Sequence, residues 1–228
     1  MSKSAPSPLQ AVVFDLDGTL IDSAAELRQA LNQALATIGR RNLAVREVTA
    51  MIGDGIVRLT ERAVAATGTP LAEAAFGRMV ETVKEAYALL PPSSLYHGAR
   101  ELLRALDERG IALALCTNKP IDATRRILEQ LGLNRQFQAV AGGDSYAVKK
   151  PDPGHVHGLL AELGIAAAAA VMVGDSHNDI TAGREAGLIT VAVSYGYSQV
   201  PPRELGADWV VDSLEDVLMV LQHRLPPS

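Results

Sequence analysis

Two carboxylates end an apolar run near the start of the chain, in Val12-Val13-Phe14-Asp15-Leu16-Asp17-Gly18-Thr19-Leu20. The residues up to Phe14 read as a short buried strand. Gly18 and Thr19 then turn the chain. Asp15 and Asp17 therefore stand at alternate positions where a buried strand stops. Like charges that close require a cation, a shared proton or solvent. Oxygen ligands at this spacing suit a hard divalent metal such as Mg²⁺.

After this stretch the pattern turns helical. Leu27, Leu31, Ala34, Leu35 and Ile38 share one helical face, and further helices are expected over 45–51, from 56 to 68 and over 71–90. Gly53-Asp54-Gly55 interrupts them, and Pro91-Pro92-Ser93-Ser94 ends the block. Residues 24–91 thus read as an all-helical insert. Beyond it, strands and helices alternate. Strands are expected over 111–116, 137–141, 170–173, 189–193 and 209–211, with helices between them and a final helix over 214–221. Alternation of this kind predicts an α/β fold with a doubly wound parallel sheet. Ligands bind such sheets at the carboxyl ends of the strands. Asp15/Asp17, Thr117/Asn118, the loop carrying Lys149/Lys150 and Asp175 all fall at such ends. Their agreement, more than any single residue, points to a site.

The residue types define the chemistry. Asp15 at the strand tip is a competent nucleophile toward phosphorus. Asp17 can protonate a leaving alcohol and then activate water. Asp175 brings a third carboxylate from another strand, so that a metal would bridge the acids and a phosphate oxygen. Asp179, one helical turn on, can orient Asp175 or hold a metal-bound water. Thr117 can donate to a phosphate oxygen, and Lys150 can neutralise nucleophile and phosphate as a compact charge. Singly, each has an ordinary reading as a turn residue, a helix cap or a surface lysine. The set at successive strand ends does not.

Composition excludes other classes. A net charge of −5 with no basic block argues against nucleic acid. The one cysteine, Cys116, precludes an internal disulfide and fits a reducing compartment. No apolar run is long enough to span a membrane. The N-terminal arm, 1–8, carries Ser and Pro but no apolar signal core. A cytoplasmic protein, monomer or homodimer, is expected. His155-x-His157 lacks further zinc ligands and reads as a helix surface. His177 reads as solvent-facing or helix-capping, and Cys116 as strand packing.

Phe14-Asp15-Leu16-Asp17-Gly18-Thr19-Leu20 resembles the first motif of the haloacid dehalogenase (HAD) superfamily. Thr117 resembles its second, Lys150-Pro151-Asp152-Pro153 its third, and Gly174-Asp175-Ser176-His177-Asn178-Asp179 its fourth. The likeness covers nearly the whole chain. It implies a HAD-like core over 9–23 and 92–228 with a helical C1 cap over 24–91. It also implies a Mg²⁺-dependent phosphoaspartate mechanism with Asp15 as nucleophile and Asp17 as acid/base. The metal would be held by Asp15, the Asp17 main-chain carbonyl and Asp175, with Asp179 in support. Within the superfamily the chain is most similar to the bacterial phosphoglycolate phosphatases, through Ile52-Gly53-Asp54-Gly55, Thr117-Asn118-Lys119-Pro120, Gly142-Gly143-Asp144, Tyr195-Gly196-Tyr197 and Gly206-Ala207-Asp208-Trp209-Val210. That likeness implies hydrolysis of 2-phosphoglycolate. Thr117, Asn118 and Lys150 would surround the phosphate, and Gly53, Asp54 and Gly55 would close over the rest. Asp54 stands where the resemblance leads one to expect Asn. Another small substrate, such as a sugar or amino-sugar phosphate, a phosphomutase, and a non-enzymatic binding protein are the alternatives.

Overall fold

A computed structural model describes residues 8–222; the arm over 1–7 and the end of the expected core, 223–228, lie outside the described residues. Six parallel strands form the central sheet. In chain order they are β1 (Ala11–Phe14), followed after the insert by β4 (Ala112–Cys116), β5 (Ala139–Ala141), β6 (Ala170–Gly174), β7 (Ile189–Val193) and β8 (Trp209–Val211), arranged as β5-β4-β1-β6-β7-β8. The strand positioned by the Asp15 motif is thus central, between β4 and β6. In register, Phe14 lies level with Leu115 on one side and Val173 on the other. The chains that follow, Asp15, Cys116 and Gly174, therefore reach the same edge of the sheet.

Strand side chains alternate between faces, as the pleat requires. Val12 and Phe14 pack with Leu113, Leu115, Val171 and Val173 against α5 (Ala99–Asp107), α6 (Ile121–Gln130) and α9 (Leu214–Leu221). Ala11 and Val13 pack with Ala114, Cys116 and Met172 against α7 (Gly154–Leu163) and α8 (His177–Glu185). Burial on both faces explains why the strands read as continuous apolar runs.

The insert is helical: α1 (Ala24–Ala36), α2 (Val45–Thr49), α3 (Ile56–Thr67) and α4 (Glu73–Ala88). These helices bury a cluster of their own, in which Leu27, Leu31 and Leu35 meet Val48, Leu59, Val64, Met79 and Val83. Ile38 departs from the expected face, because α1 stops at Ala36 and leaves it 42% exposed. The two connections to the insert pair with each other. β2 (Ile21–Asp22) and β3 (Ser94–Leu95) form an antiparallel ribbon, and Tyr96 N–H donates to the Leu20 carbonyl at 2.9 Å. Two-residue strands carry no periodicity, so sequence patterning does not find them. The first strand ends at Phe14, where the apolar run stops. The chain leaves the sheet after Phe14, and the Leu16 carbonyl accepts from the N–H groups of Leu20 and Ile21 at 2.9 and 3.0 Å. Among the described residues no helix is long and apolar enough to cross a membrane.

Leu31 is fully buried within the insert's own cluster. Leu31→Ala should destabilise the protein by about 2–5 kcal/mol, read as a lower urea midpoint. An unchanged midpoint would contradict the packing described.

Candidate active site

Asp15 remains tied to the sheet edge, its N–H donating to the Val173 carbonyl at 2.9 Å. One Asp15 carboxylate oxygen accepts from Lys150 Nζ at 2.7 Å, and the same ammonium donates to Asp179 at 2.5 Å and to the Cys116 carbonyl. Lys150 is only 2% exposed. Carboxylate oxygens of Asp15, Asp175 and Asp179, all buried, lie within 4.8 Å of one another. Three carboxylates thus face one ammonium, so that with all three ionised two negative charges would be in excess. Burial pushes the Asp15 carboxyl up to about 7, Lys150 opposing the rise and Asp179 adding to it. Asp175 is raised well above the carboxylate range by burial and then by its two acidic neighbours. An oxygen-only cluster with this charge deficit fits a divalent metal cation.

The cluster is braced from several elements. Tyr197 N–H donates to Asp175 at 2.6 Å. Ser176, the N-cap of α8, donates to Asp179 through its N–H at 2.9 Å and its hydroxyl at 2.6 Å. That reciprocal capping fixes the Asp179 side chain, so the cap is Ser176 and not His177, which is exposed and lies beside Thr181. Gly18 has φ +88°, and a Cβ there would stand 2.5 Å from an Asp175 carboxylate oxygen. Only glycine meets both demands.

Lys150 owes its position to His155. Expected on a helix surface, His155 is instead fully buried. Its Nδ1 accepts from Lys150 N–H at 3.1 Å, and its Nε2–H donates to the Gly142 carbonyl at 3.0 Å. Burial, reinforced by the nearby Lys150 charge, lowers its pKa to about 4, so the ring is neutral. The pattern of the α7 residues alone does not distinguish this brace from an exposed histidine. Cys116 behaves as expected of strand packing: burial pushes its thiol up to about 12.

Asp17 has a different environment from Asp15. Lys119 Nζ lies 2.9 and 3.0 Å from its two carboxylate oxygens, and the Ser23 hydroxyl donates to it at 2.5 Å. Lys119 is 7% exposed and sits 4.7 Å from the centre of the Tyr87 ring, on α4. Burial works against the Lys119 charge, but Asp17 holds it protonated. Thr117 is buried beside them, its hydroxyl accepting from Lys119 N–H at 3.2 Å. Lys119 escaped sequence reasoning because a lone lysine after a strand is ordinarily a solvated one.

A cavity of about 670 Å³ opens between these strand ends and the helical insert, lined by Asp15, Asp17, Thr117, Asn118, Lys119 and Asp175 among others. The Gly53–Gly55 loop forms part of its wall. Asn118 Nδ2 donates to the carbonyls of Gly53 at 3.0 Å and Lys150 at 2.9 Å, and Lys149 Nζ donates to the Asp54 carbonyl at 2.7 Å. The Asp54 carboxylate accepts from Asn178 at 2.8 Å and pairs with Arg62. Burial works to raise its pKa, but Asn178 and Arg62 prevail and hold it below the usual value. The acid that departs from expectation is therefore neutralised locally and ties the insert to α8. Tyr197 ties the other side: its hydroxyl accepts from Ser23 N–H at 2.6 Å and donates to Asp22 at 2.8 Å.

The family model of the haloacid dehalogenase-like hydrolases matches residues 9–187. The chain belongs to this family. This HAD-like hydrolase is 38% identical over 227 residues to a phosphoglycolate phosphatase of Agrobacterium fabrum, covering 99% of this chain and 97% of that one. It is 42% identical over 209 residues to a phosphoglycolate phosphatase of Rhodospirillum rubrum, covering 89% and 87%. Among solved structures, a protein from Haemophilus somnus described as a predicted phosphoglycolate phosphatase superposes with a TM-score of 0.90 at 32% identity, covering 94% of this chain and 98% of that one. The HAD-like hydrolase is a phosphatase.

The His155 brace sets a pH dependence. In the unfolded chain the ring takes up a proton near 6.5, but in the fold not until about 4. Acidification through that window favours the unfolded chain. His155→Leu should lower stability at neutral pH by about 1–3 kcal/mol and flatten the loss of stability between those two pH values. Urea midpoints across pH test this; a variant that keeps the full acid slope contradicts it.

Proposed function

We propose that this phosphatase hydrolyses 2-phosphoglycolate to glycolate and phosphate. The observation that carries the reading is the pairing of a charge-deficient carboxylate cluster, Asp15/Asp175/Asp179 on Lys150, with a charge-balanced acid, Asp17 on Lys119. Two carboxylates two positions apart thereby take two roles, set by environment. The substrate assignment draws on the relatives at 38% and 42% identity that carry the name phosphoglycolate phosphatase.

Asp15 attacks phosphorus, and the bond from phosphorus to the glycolate oxygen breaks. Asp17 gives its proton to that oxygen, and glycolate leaves. Water then attacks the phosphoryl group on Asp15 and yields a proton to Asp17, and phosphate departs with the carboxylate restored. Lys150 offsets charge on Asp15, and the Thr117 hydroxyl binds a phosphoryl oxygen. Asp15, Asp175 and the main-chain carbonyl of Asp17 would hold the cation, with Asp179 in support; an all-oxygen set favours Mg²⁺. When bound, the cation supplies the positive charge that lets a phosphate dianion approach the carboxylates. Residues 24–91 form a cap, and the Gly53–Gly55 loop with Asn118 closes the cavity against water. A cytoplasmic setting suits the reduced, buried Cys116.

Asp15→Asn should lower kcat on 2-phosphoglycolate by about 10⁴-fold or more while leaving the circular dichroism and urea midpoint near wild type. EDTA should abolish wild-type turnover, and Mg²⁺ should restore it. Full turnover by folded Asp15→Asn would remove the nucleophile assignment. A clear preference for a sugar phosphate would keep the chemistry and replace the substrate.

A further inference from the structure

The proposed substrate carries a second anion, a carboxylate, which the carboxylate cluster and Lys150 do not address. Lys150 lies behind Asp15 and Asp179, closed off by the Cys116 carbonyl. Of the buried side chains that line the cavity, Lys119 is the one cation among the described residues. Lys84 also lines the cavity but is exposed and turned to Glu81 at 2.7 Å. Arg126 stands in the second turn of α6 and is only partly buried.

We propose that Lys119 is the residue that reads the carboxylate of the substrate and so sets the preference for 2-phosphoglycolate. This rests on the reading of the substrate given above. The geometry follows from the leaving group. Asp17 must reach the ester oxygen to protonate it, and in 2-phosphoglycolate one methylene separates that oxygen from the carboxylate. The ammonium of Lys119 is 2.9 and 3.0 Å from the Asp17 oxygens. A carboxylate one methylene beyond the oxygen served by Asp17 therefore falls within reach of the same ammonium. The electrostatics agree. Lys119 is 7% exposed and lies at the cavity wall, where a second carboxylate entering beside Asp17 gains a buried ammonium as its partner. The Tyr87 ring, 4.7 Å from Lys119 Nζ, comes from the insert, so closure of the insert keeps that ion pair away from solvent.

The test compares 2-phosphoglycolate with ethyl phosphate, which has a similar leaving group and no carboxylate, and with p-nitrophenyl phosphate, whose leaving group needs no proton. Wild type should prefer 2-phosphoglycolate in kcat/KM. In Lys119→Met that preference over ethyl phosphate should fall by about a hundredfold, whereas Lys119→Arg should retain most of it. Lys119→Gln, which can still hydrogen-bond to Asp17, carries the same comparison should the Met variant not fold. If Lys119 serves only to hold Asp17, 2-phosphoglycolate and ethyl phosphate will lose rate equally, p-nitrophenyl phosphate will lose rate only through the phosphoaspartate hydrolysis that Asp17 also assists, and the proposal is overturned. A wild-type enzyme with no preference for 2-phosphoglycolate over ethyl phosphate overturns the substrate reading and this proposal with it. Preference in wild type that survives both neutral variants overturns this proposal alone.

Discussion

A single buried ammonium facing three buried carboxylates is the constraint on which the rest of the site depends. Lys150 can satisfy Asp15 and Asp179 directly, at 2.7 and 2.5 Å, but with all three acids ionised the group would carry two negative charges too many. Such a cluster is costly in an apolar sheet edge. The sheet brings it together because β1 sits between β4 and β6, with Phe14 level with Leu115 and Val173. The loops then hold it, through the neutral His155 beneath Lys150, Tyr197 N–H on Asp175 and Ser176 on Asp179. A divalent cation at this cluster would supply the two charges that the ionised acids lack.

Asp17 stands outside that deficit. Its own ammonium, Lys119, balances it, and the Ser23 hydroxyl orients it. The contrast gives physical meaning to the spacing of the two acids: one lies in the carboxylate cluster, and the other is paired with a lysine on the cavity wall. The wall is shared with the insert. Tyr87 lies over Lys119, Asp54 is tied to Asn178, and Tyr197 is bonded at Ser23 and Asp22 where the chain enters the insert. The three contacts join the helical insert to the groups that would do the chemistry, which gives closure a direct route to the acid.

Much of this was legible in the sequence, for identifiable reasons. Asp15, Thr117 and Asp175 end apolar runs, and apolar runs that end in polar residues mark the carboxyl edge of a parallel sheet. Lys150 and Asp179 follow from motif spacing. The parts that were not legible depend on tertiary contacts. His155 lies on a helix whose pattern allows an exposed reading, and only the fold places its ring between Lys150 and Gly142. Lys119 shows its importance only when Asp17 is brought to it across 102 residues. The β2–β3 ribbon is too short for any pattern, and Ile38 continues the α1 periodicity past the point where the helix ends. Asp54 stands where Asn is expected, and its extra charge is met by Arg62, eight residues on, and by Asn178 in another helix.

The most direct measurement is the proton balance of Mg²⁺ binding, by titration calorimetry of the metal-free protein in buffers of different ionisation enthalpy. Burial holds Asp15 up to about 7 and raises Asp175 well above the usual carboxylate range, and a cation can bind only their ionised forms. Binding at one site per chain should therefore release protons at neutral pH, and its affinity should weaken steadily as pH falls below about 7. Binding with no proton release and no dependence on pH would contradict a cation site built on buried acids that hold protons until the cation displaces them.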